Sequence, residues 1–179
     1  MKMYRLSGLI VTLVLVGAFA TTGDEAKSMG QQVKESIQLF KSDSTNVAKL
    51  FDTAYGYAVL PSVGKGGAGI GAAHGEGQVF EKGKLIGTCE MTQFTIGLEL
   101  GGQKYDEVIF FETKDTLNQF RNSEWAMSAG VNAVAAASSA SADAKYQNGV
   151  MVFTIAKGGL MVEASVGGQK FKFTPLDKN

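Results

Sequence analysis

Residues 66–77 read Gly-Gly-Ala-Gly-Ile-Gly-Ala-Ala-His-Gly-Glu-Gly. On a β-strand, successive side chains point to opposite faces of the sheet. One face of this stretch would therefore carry almost no side chains, and its members are Gly67, Gly69, Gly71, Ala73, Gly75 and Gly77. Such a smooth face weakens a strand unless a backbone, a helix or a ligand approaches it closely. We predict that this glycine face is a packing surface covered by helices from the N-terminal part of the chain.

The first twenty residues have the features of a secretory signal peptide. Lys2 and Arg5 supply positive charge, residues 6–18 are mainly apolar, and Ala18-Phe19-Ala20 matches the usual cleavage pattern. The apolar run is too short for a transmembrane helix. A retained membrane anchor is the alternative. We expect cleavage after Ala20 and a soluble exported product, periplasmic or extracellular, with one domain at residues 21–179.

Charge and cysteine content exclude some partners and cross-links. Without the leader, 15 basic and 17 acidic residues remain, a formal charge of −2. This balance argues against nucleic acid as the main partner, because no overall basic excess supplies affinity for phosphates. Cys89 is the only cysteine, so no internal disulfide can form. We expect Cys89 to be a small buried apolar residue.

The spacing of apolar residues predicts helices first and strands afterwards. Residues 24–41 and 45–53 follow helical spacing, with a polar break between them. Lys82-Gly83-Lys84 is typical of a hairpin turn, and Thr113 is typical of the cap of a short helix that buries Leu117 and Phe120. Residues 128–144 are ambiguous, because alanine favours a helix and serine does not. The predicted strands cover residues 55–60, 66–78, 85–89, 93–100, 108–111, 150–155, 160–166 and 171–173.

A short module occurs twice in the chain. Residues 100–105 read Leu-Gly-Gly-Gln-Lys-Tyr, and residues 166–171 read Val-Gly-Gly-Gln-Lys-Phe. A strand, a double glycine and a second strand form a hairpin or a bulge. We therefore predict a meandering antiparallel sheet, and not a solenoid, because the spacing of the modules is irregular.

Lys27, Lys34 and Lys41 repeat every seven residues, which is nearly two helical turns. Their amines would form one stripe beside the apolar face of the first helix. The stripe is either the solvated flank of an amphipathic helix or a contact surface for anionic lipid headgroups. Glu35 and Asp24 lie close to the stripe and weaken the second interpretation.

Several motifs that would carry chemistry lack their required context. Residues 64–69 fit the pattern G-x-G-x-x-G, but more glycine follows where a dinucleotide site needs a helix. His74 is the only histidine, and no partners for a catalytic triad or a zinc site stand at sensible spacing. It could exchange protons with Glu76, but a sheet histidine bonded to a neighbour is the simpler interpretation. We predict no catalytic residues, no metal and no cofactor.

The combined motifs resemble the SYLF domain. They are Tyr57-Ala58-Val59-Leu60-Pro61, Lys65-Gly66-Gly67, Gly69-Ile70-Gly71, Gly75-Glu76-Gly77, residues 95–103 and 152–159, and Phe110-Phe111-Glu112-Thr113 followed by Leu117 and Phe120. The similarity covers about residues 45–173. It implies an α+β fold in which N-terminal helices pack on a strongly curved, largely antiparallel, barrel-like sheet. It also implies that residues 126–137 form a strand.

The resemblance to SYLF domains also implies a function. SYLF domains are known to bind lipids, phosphoinositides in eukaryotic members, and some fungal members bind actin. A basic N-terminal segment meets the membrane in eukaryotic members, and the matching positions here are Lys27, Lys34 and Lys41.

We therefore expect an exported, non-enzymatic protein that binds anionic lipid or a membrane surface, with Lys65 as a further headgroup contact. The alternative is a structural or protein-interaction module without a lipid ligand, whose protein partner the residues do not identify.

Overall fold

The computed structural model describes residues 27–122, 125–127, 133–135 and 143–176. The predicted signal peptide, residues 1–20, lies outside these ranges. In the described part of the chain, every helix is too short or too polar to cross a bilayer. The elements follow one another in the order α1 (Met29–Asp43), α2 (Thr45–Thr53), β1 (Gly56–Glu81), β2 (Lys84–Phe111), α3 (Lys114–Arg121), β3 (Trp125–Met127), β4 (Ala133–Ala135) and β5 (Val150–Pro175).

Serine side chains set the limits of the first two helices. Ser28 and Gln31 form a capping box, in which each side chain accepts a hydrogen bond from the backbone N–H of the other residue. This cap starts α1 at Met29, later than the predicted residue 24. Ser44 ends α1 and caps α2, because its hydroxyl accepts a hydrogen bond from Val47 N. The predicted limits of α2 are confirmed.

Three long antiparallel strands make up most of the sheet. β1, β2 and β5 have 26, 28 and 26 residues, and each runs through positions where the sequence predicted a break. β2 lies between β1 and β5, and β3 and β4 pair with the far side of β5. The pairing of β4 with β5 is parallel, and the other three pairings are antiparallel.

Two of the predicted connections are confirmed. Lys82 and Gly83 form a two-residue turn between the paired residues Glu81 and Lys84. Both turn residues have positive φ, 48° and 76°, as this type of hairpin requires. Thr113 caps α3, and Leu117 and Phe120 are fully buried. The resemblance implied one strand over residues 126–137, but the described residues form two short strands, β3 and β4, which pair with opposite ends of β5 in opposite directions. The residues between them lie outside the described ranges.

The sheet curls until the two ends of β1 meet. Lys82 N donates a hydrogen bond to Tyr55 O at 3.0 Å. A Cβ placed on Gly56 would lie 2.6 Å from Phe80 O, so Gly56 and Phe80, near the two ends of β1, are in contact. Along the described residues the strand order does not return from β3 to β1, so the sheet is curled but open. The predicted fold class is confirmed: helices on a strongly curved, largely antiparallel sheet.

Two apolar cores result from this curl. The inner core lies between the two halves of the sheet, and α3 contributes Leu117 and Phe120 to it. The outer core lies between α1, α2 and the outside of the first half of the sheet. Its buried members are Val33, Phe40, Val47, Phe51, Tyr57, Val59, Val108, Phe110, Met151 and Phe153.

The glycine face packs against the sheet itself and not against the N-terminal helices, so the predicted partner was wrong. A Cβ on Gly75 would lie 2.7 Å from Val63 Cγ2, and a Cβ on Gly77 would overlap Val59 O. The reason is the length of β1, whose second half turns back onto its first half. Gly71 is buried and Gly67 is half-buried. Gly69 is exposed, with open space around it and a φ of 82°. It therefore makes no packed contact, and its positive φ accommodates the irregularity of β1 between Ala68 and Ile70.

Candidate functional site

The lysines predicted near the N-terminus do not form one helical stripe. Lys27 precedes the cap of α1, and its Nζ lies 2.7 Å from Glu35 Oε2. Lys41 Nζ lies 3.9 Å from Asp52 Oδ1 and 5.3 Å from the centre of the Phe51 ring. Only Lys34 and Lys41 lie on α1 and share a face, seven residues apart. Neighbouring carboxylates reduce the positive potential that this surface would offer to an anion.

Lys65 lies in a shallow depression in the middle of the sheet, which we call the glycine–lysine depression. Its lining residues come from all three long strands, and they are Gly64, Lys65, Gly102, Gln103, Lys104 and Gly158. The strand register places Lys104 between Gly64 on β1 and Gly158 on β5. Because both neighbours lack side chains, backbone forms the floor of the depression beside Lys104. Lys65 pairs with Gln103 and lies two residues after the inward-facing Val63, so its side chain points to the inner face and it contributes backbone to the depression. The predicted headgroup contact Lys65 therefore does not share a face with Lys104, which the sequence did not indicate.

A bulge in β1 shapes one edge of the depression. The pairing of β1 with β2 shifts between Leu60 and Val63, and Ser62 has a φ of 63°. Asp106 is fully buried, and its Oδ1 accepts a hydrogen bond from Ser62 N at 2.8 Å. Lys157 Nζ lies 2.7 Å from the same carboxylate oxygen. This ion pair fixes Lys157 and the bulge next to Gly158, and so holds the three strands in register there.

An exposed apolar surface adjoins the depression, and we call it the outer apolar patch. It comprises Ala68, Ile70 and Ala72 on β1 and Phe94, Ile96 and Leu100 on β2. The strand register pairs Ala68 with Leu100, Ile70 with Ile96 and Ala72 with Phe94. The four large side chains are 64–75% exposed. The sequence predicted a strand at residues 93–100 without assigning its faces. The signal was the alternation of apolar residues with Gln93 and Thr95, a pattern that normally points the apolar side inward.

The sequence is similar to a known protein family and to a known protein. Residues 92–175 match the Ysc84 family, described as "Las17-binding protein actin regulator". Over 137 residues, the chain is 34% identical to a protein from Aeromonas veronii named "Beta cell expansion factor A", a SYLF-family protein. This chain belongs to the SYLF family. The alignment covers 75% of this chain and 51% of the relative, so the SYLF chain described here spans about half the relative's length.

The inner core of this SYLF domain contains a buried acid, Glu107. Glu107 extends from β2 into the inner core and is 1% exposed. Gln169 Nε2 donates a hydrogen bond to Glu107 Oε2 at 2.9 Å, and Glu107 Oε1 has no partner. Burial raises the pKa of Glu107 to about 7, and the bond from Gln169 opposes this shift. The carboxyl therefore keeps its proton up to nearly neutral pH.

Cys89 and His74 lie on opposite faces of the sheet. Cys89 is buried, as predicted, and burial raises the pKa of its thiol to about 12, with a smaller contribution from Glu107. His74 is on the outer face, with Nδ1 3.9 Å from Glu90 Oε1, beyond hydrogen-bond distance. Among the described residues, no three His, Cys, Asp or Glu side chains are grouped to hold a metal ion.

Proposed function

We propose that this SYLF domain is an exported, non-enzymatic module that binds anionic lipid headgroups at the glycine–lysine depression. The observation that carries the proposal is the placement of Lys104 over a floor of glycine backbone, between Gly64 and Gly158. Ammonium groups attract phosphate, and a floor without side chains lets a headgroup approach closely. Lys27, Lys34 and Lys41 are secondary contacts in this proposal, because carboxylates lie near two of them.

Family membership supports this proposal only at a coarser level, that of a lipid- or actin-binding module. The description of the matching family refers to binding of the protein Las17 and to regulation of actin. Binding of a protein favours a second candidate function, a protein-interaction module whose sheet carries no lipid ligand. The two candidates differ in their response to a pure lipid surface, because only the first requires no protein partner.

The test is sedimentation with vesicles of phosphatidylcholine, with and without phosphatidylglycerol. We expect binding only to the vesicles that contain the anionic lipid. We also expect binding to weaken between ionic strengths of about 0.1 M and about 1 M, because the Debye length falls from about 10 Å to about 3 Å. Absence of binding to both kinds of vesicle would favour the protein-interaction candidate.

Two single variants that remove equal charge locate the contact. Lys104→Gln should weaken binding by about fivefold, since a lysine near an anionic surface contributes about 1 kcal/mol. Lys34→Gln is the matched control on α1 and should have the smaller effect. The reverse order of the two effects would move the headgroup contact to the N-terminal helices.

A further inference from the structure

The outer apolar patch interrupts the normal pattern of this sheet. On the first half of the outer face, apolar residues such as Val59, Val108 and Phe110 are covered by α1 and α2 and are fully buried. Beyond the bulge, Phe94 and Ile96 are 69% and 75% exposed, whereas Thr95 between them is 2% exposed. The alternation is therefore inverted here, with polar residues facing inward. Packing among the residues that the structure describes does not account for the apolar residues on this face.

The backbone of the patch suits a nonpolar environment. Phe94, Ile96 and Leu100 lie on β2, which pairs with β5 throughout this segment and with β1 on both sides of a register shift at residues 97–99. Neighbouring strands therefore satisfy most of the backbone N–H and C=O groups of β2. This matters because an unpaired backbone group is costly to place near hydrocarbon. The register partners on β5 are also small or apolar: Gly168 faces Phe94, and Val166 faces Ile96.

The charges around the patch favour a lipid surface as its occupant. Along β2, the outer-face positions after Leu100 are Gly102 and Lys104. At the other end, Thr92 pairs with Lys170 on β5. Between these two lysines, the described side chains of the outer face carry no carboxylate. Apolar side chains flanked by lysines match the boundary between acyl chains and anionic headgroups, where lysine ammonium groups reach back to the phosphates.

We propose that the outer apolar patch inserts into the interfacial region of an anionic bilayer, while Lys104 and Lys170 contact the headgroups beside it. This inference rests on the proposed function and adds an apolar anchor to it. The patch and the glycine–lysine depression are contiguous on β2, because Leu100 belongs to the patch and Gly102 to the depression. One orientation of the protein can therefore engage both at once.

The two contributions differ in their response to salt, which allows separate tests. Ile70→Gln with Ile96→Gln removes apolar surface from two paired, exposed positions. We expect partitioning into phosphatidylcholine–phosphatidylglycerol vesicles to fall about tenfold or more, with the loss persisting at high salt, because apolar insertion is not screened. Leu85→Gln with Leu176→Gln is the matched control, since these leucines are also exposed but lie outside the patch. The control should bind like the wild type, and unchanged urea midpoints would show that both variants fold.

Insertion has its own spectroscopic readout. The Ile96→Trp variant should show additional fluorescence that lipids brominated on their acyl chains quench in anionic vesicles. The Leu85→Trp variant should show no such quenching. Unquenched Ile96→Trp, together with normal binding of Ile70→Gln with Ile96→Gln, would overturn insertion and leave headgroup binding intact. A wild type that binds no vesicle would instead overturn the proposed function.

Self-association is the remaining occupant to distinguish. Sedimentation velocity without lipid should show the same mass for the wild type and for Ile70→Gln with Ile96→Gln. A wild-type dimer that this double variant dissociates would overturn the proposal and assign the patch to a second copy of the chain.

Discussion

Gly77 shows how one absent side chain permits the whole sheet to curl. It lies where the second half of β1 crosses the first, directly against Val59 O and Leu60. Any Cβ would have to displace backbone there, and backbone in a paired strand has little freedom to move. Gly64, on the same strand, has open space where its Cβ would be and an ordinary φ. Gly77 is needed because the first half of β1 approaches it closely, whereas no close contact requires a glycine at position 64.

Gly77→Ala should destabilise the protein by about 1–3 kcal/mol, as overpacking of a tight contact does. Gly64→Ala is the control and should change stability by less than about 0.5 kcal/mol. Urea denaturation of both variants measures the difference. Equal midpoints would show that the two halves of the sheet are not in contact at Gly77.

Glu107 couples the stability of the inner core to pH. Its ordinary pKa is 4.5, and in the folded protein the pKa is about 7. Below about pH 4.5 the carboxyl is protonated in both states. Between about 4.5 and about 7 only the folded chain keeps the proton, so stability falls as pH rises and levels off above about 7. The loss amounts to about 3 kcal/mol.

Glu107→Gln should remove this part of the pH dependence, because an amide has the shape of the protonated acid and does not titrate. Urea midpoints at a series of pH values from about 4 to about 8 test this. We expect the stability of the variant, relative to the wild type, to rise across that range. Glu90→Gln, on the exposed outer face, is the control. Parallel curves for wild type and Glu107→Gln would contradict a raised pKa.

At the scale of elements, the bulge of β1 is the feature that the curl depends on. Val59 faces the helices, and Val63, four residues later, faces the inner core. With strict alternation, positions four apart would share a face. The extra residue Ser62 therefore reverses which positions of β1 face inward. The carboxylate of Asp106 stabilises the left-handed conformation of Ser62, because it accepts a hydrogen bond from the backbone N–H of Ser62.

Asp106→Ala should destabilise the protein by about 2–3 kcal/mol, because it removes a charge-assisted hydrogen bond and an ion pair with one buried member. Asp52→Ala removes an exposed partner of Lys41 and should cost less than about 1 kcal/mol. Adding Ser62→Gly to Asp106→Ala should recover part of the loss, since glycine adopts a positive φ without support. Thermal or urea unfolding measures all three variants. No recovery would show that the carboxylate acts only through Lys157.

At the scale of the whole molecule, one curled sheet presents its outer surface in two parts. α1 and α2 cover the first part, and the second part carries the outer apolar patch and the glycine–lysine depression. The proposed membrane contact thus lies beyond the region that the helices cover. Access to an extracellular or periplasmic lipid surface further requires export, which the proposed leader supplies.

We expect the exported protein to begin at Thr21, because Ala18-Phe19-Ala20 fits the cleavage pattern of signal peptidases. Intact-mass spectrometry of the secreted or periplasmic fraction checks this. Replacement of Ala18 and Ala20 by lysine should block cleavage and serves as the control. An exported form that retains residues 6–18 would indicate an anchor.

Local signals in the sequence were sufficient for the features that local chemistry controls. Ser44 caps α2, Thr113 caps α3, and Lys82-Gly83 forms the hairpin turn, because each depends on hydrogen bonds or φ angles within a few residues. Period-two alternation likewise indicated strands. The family resemblance came from glycine motifs that lie on these strands. These local features predict an α+β SYLF fold without any information on long-range contacts.

Tertiary structure alone decided which face of each strand is inside. Alternation divides a strand into two faces but does not say which face is buried, and a single bulge exchanges them. This is why the partner of Gly75 and Gly77 was predicted wrongly, and why Phe94 and Ile96 were not recognised as exposed. Gly64 and Lys104 are 40 positions apart, and only the register of β1 with β2 makes them neighbours.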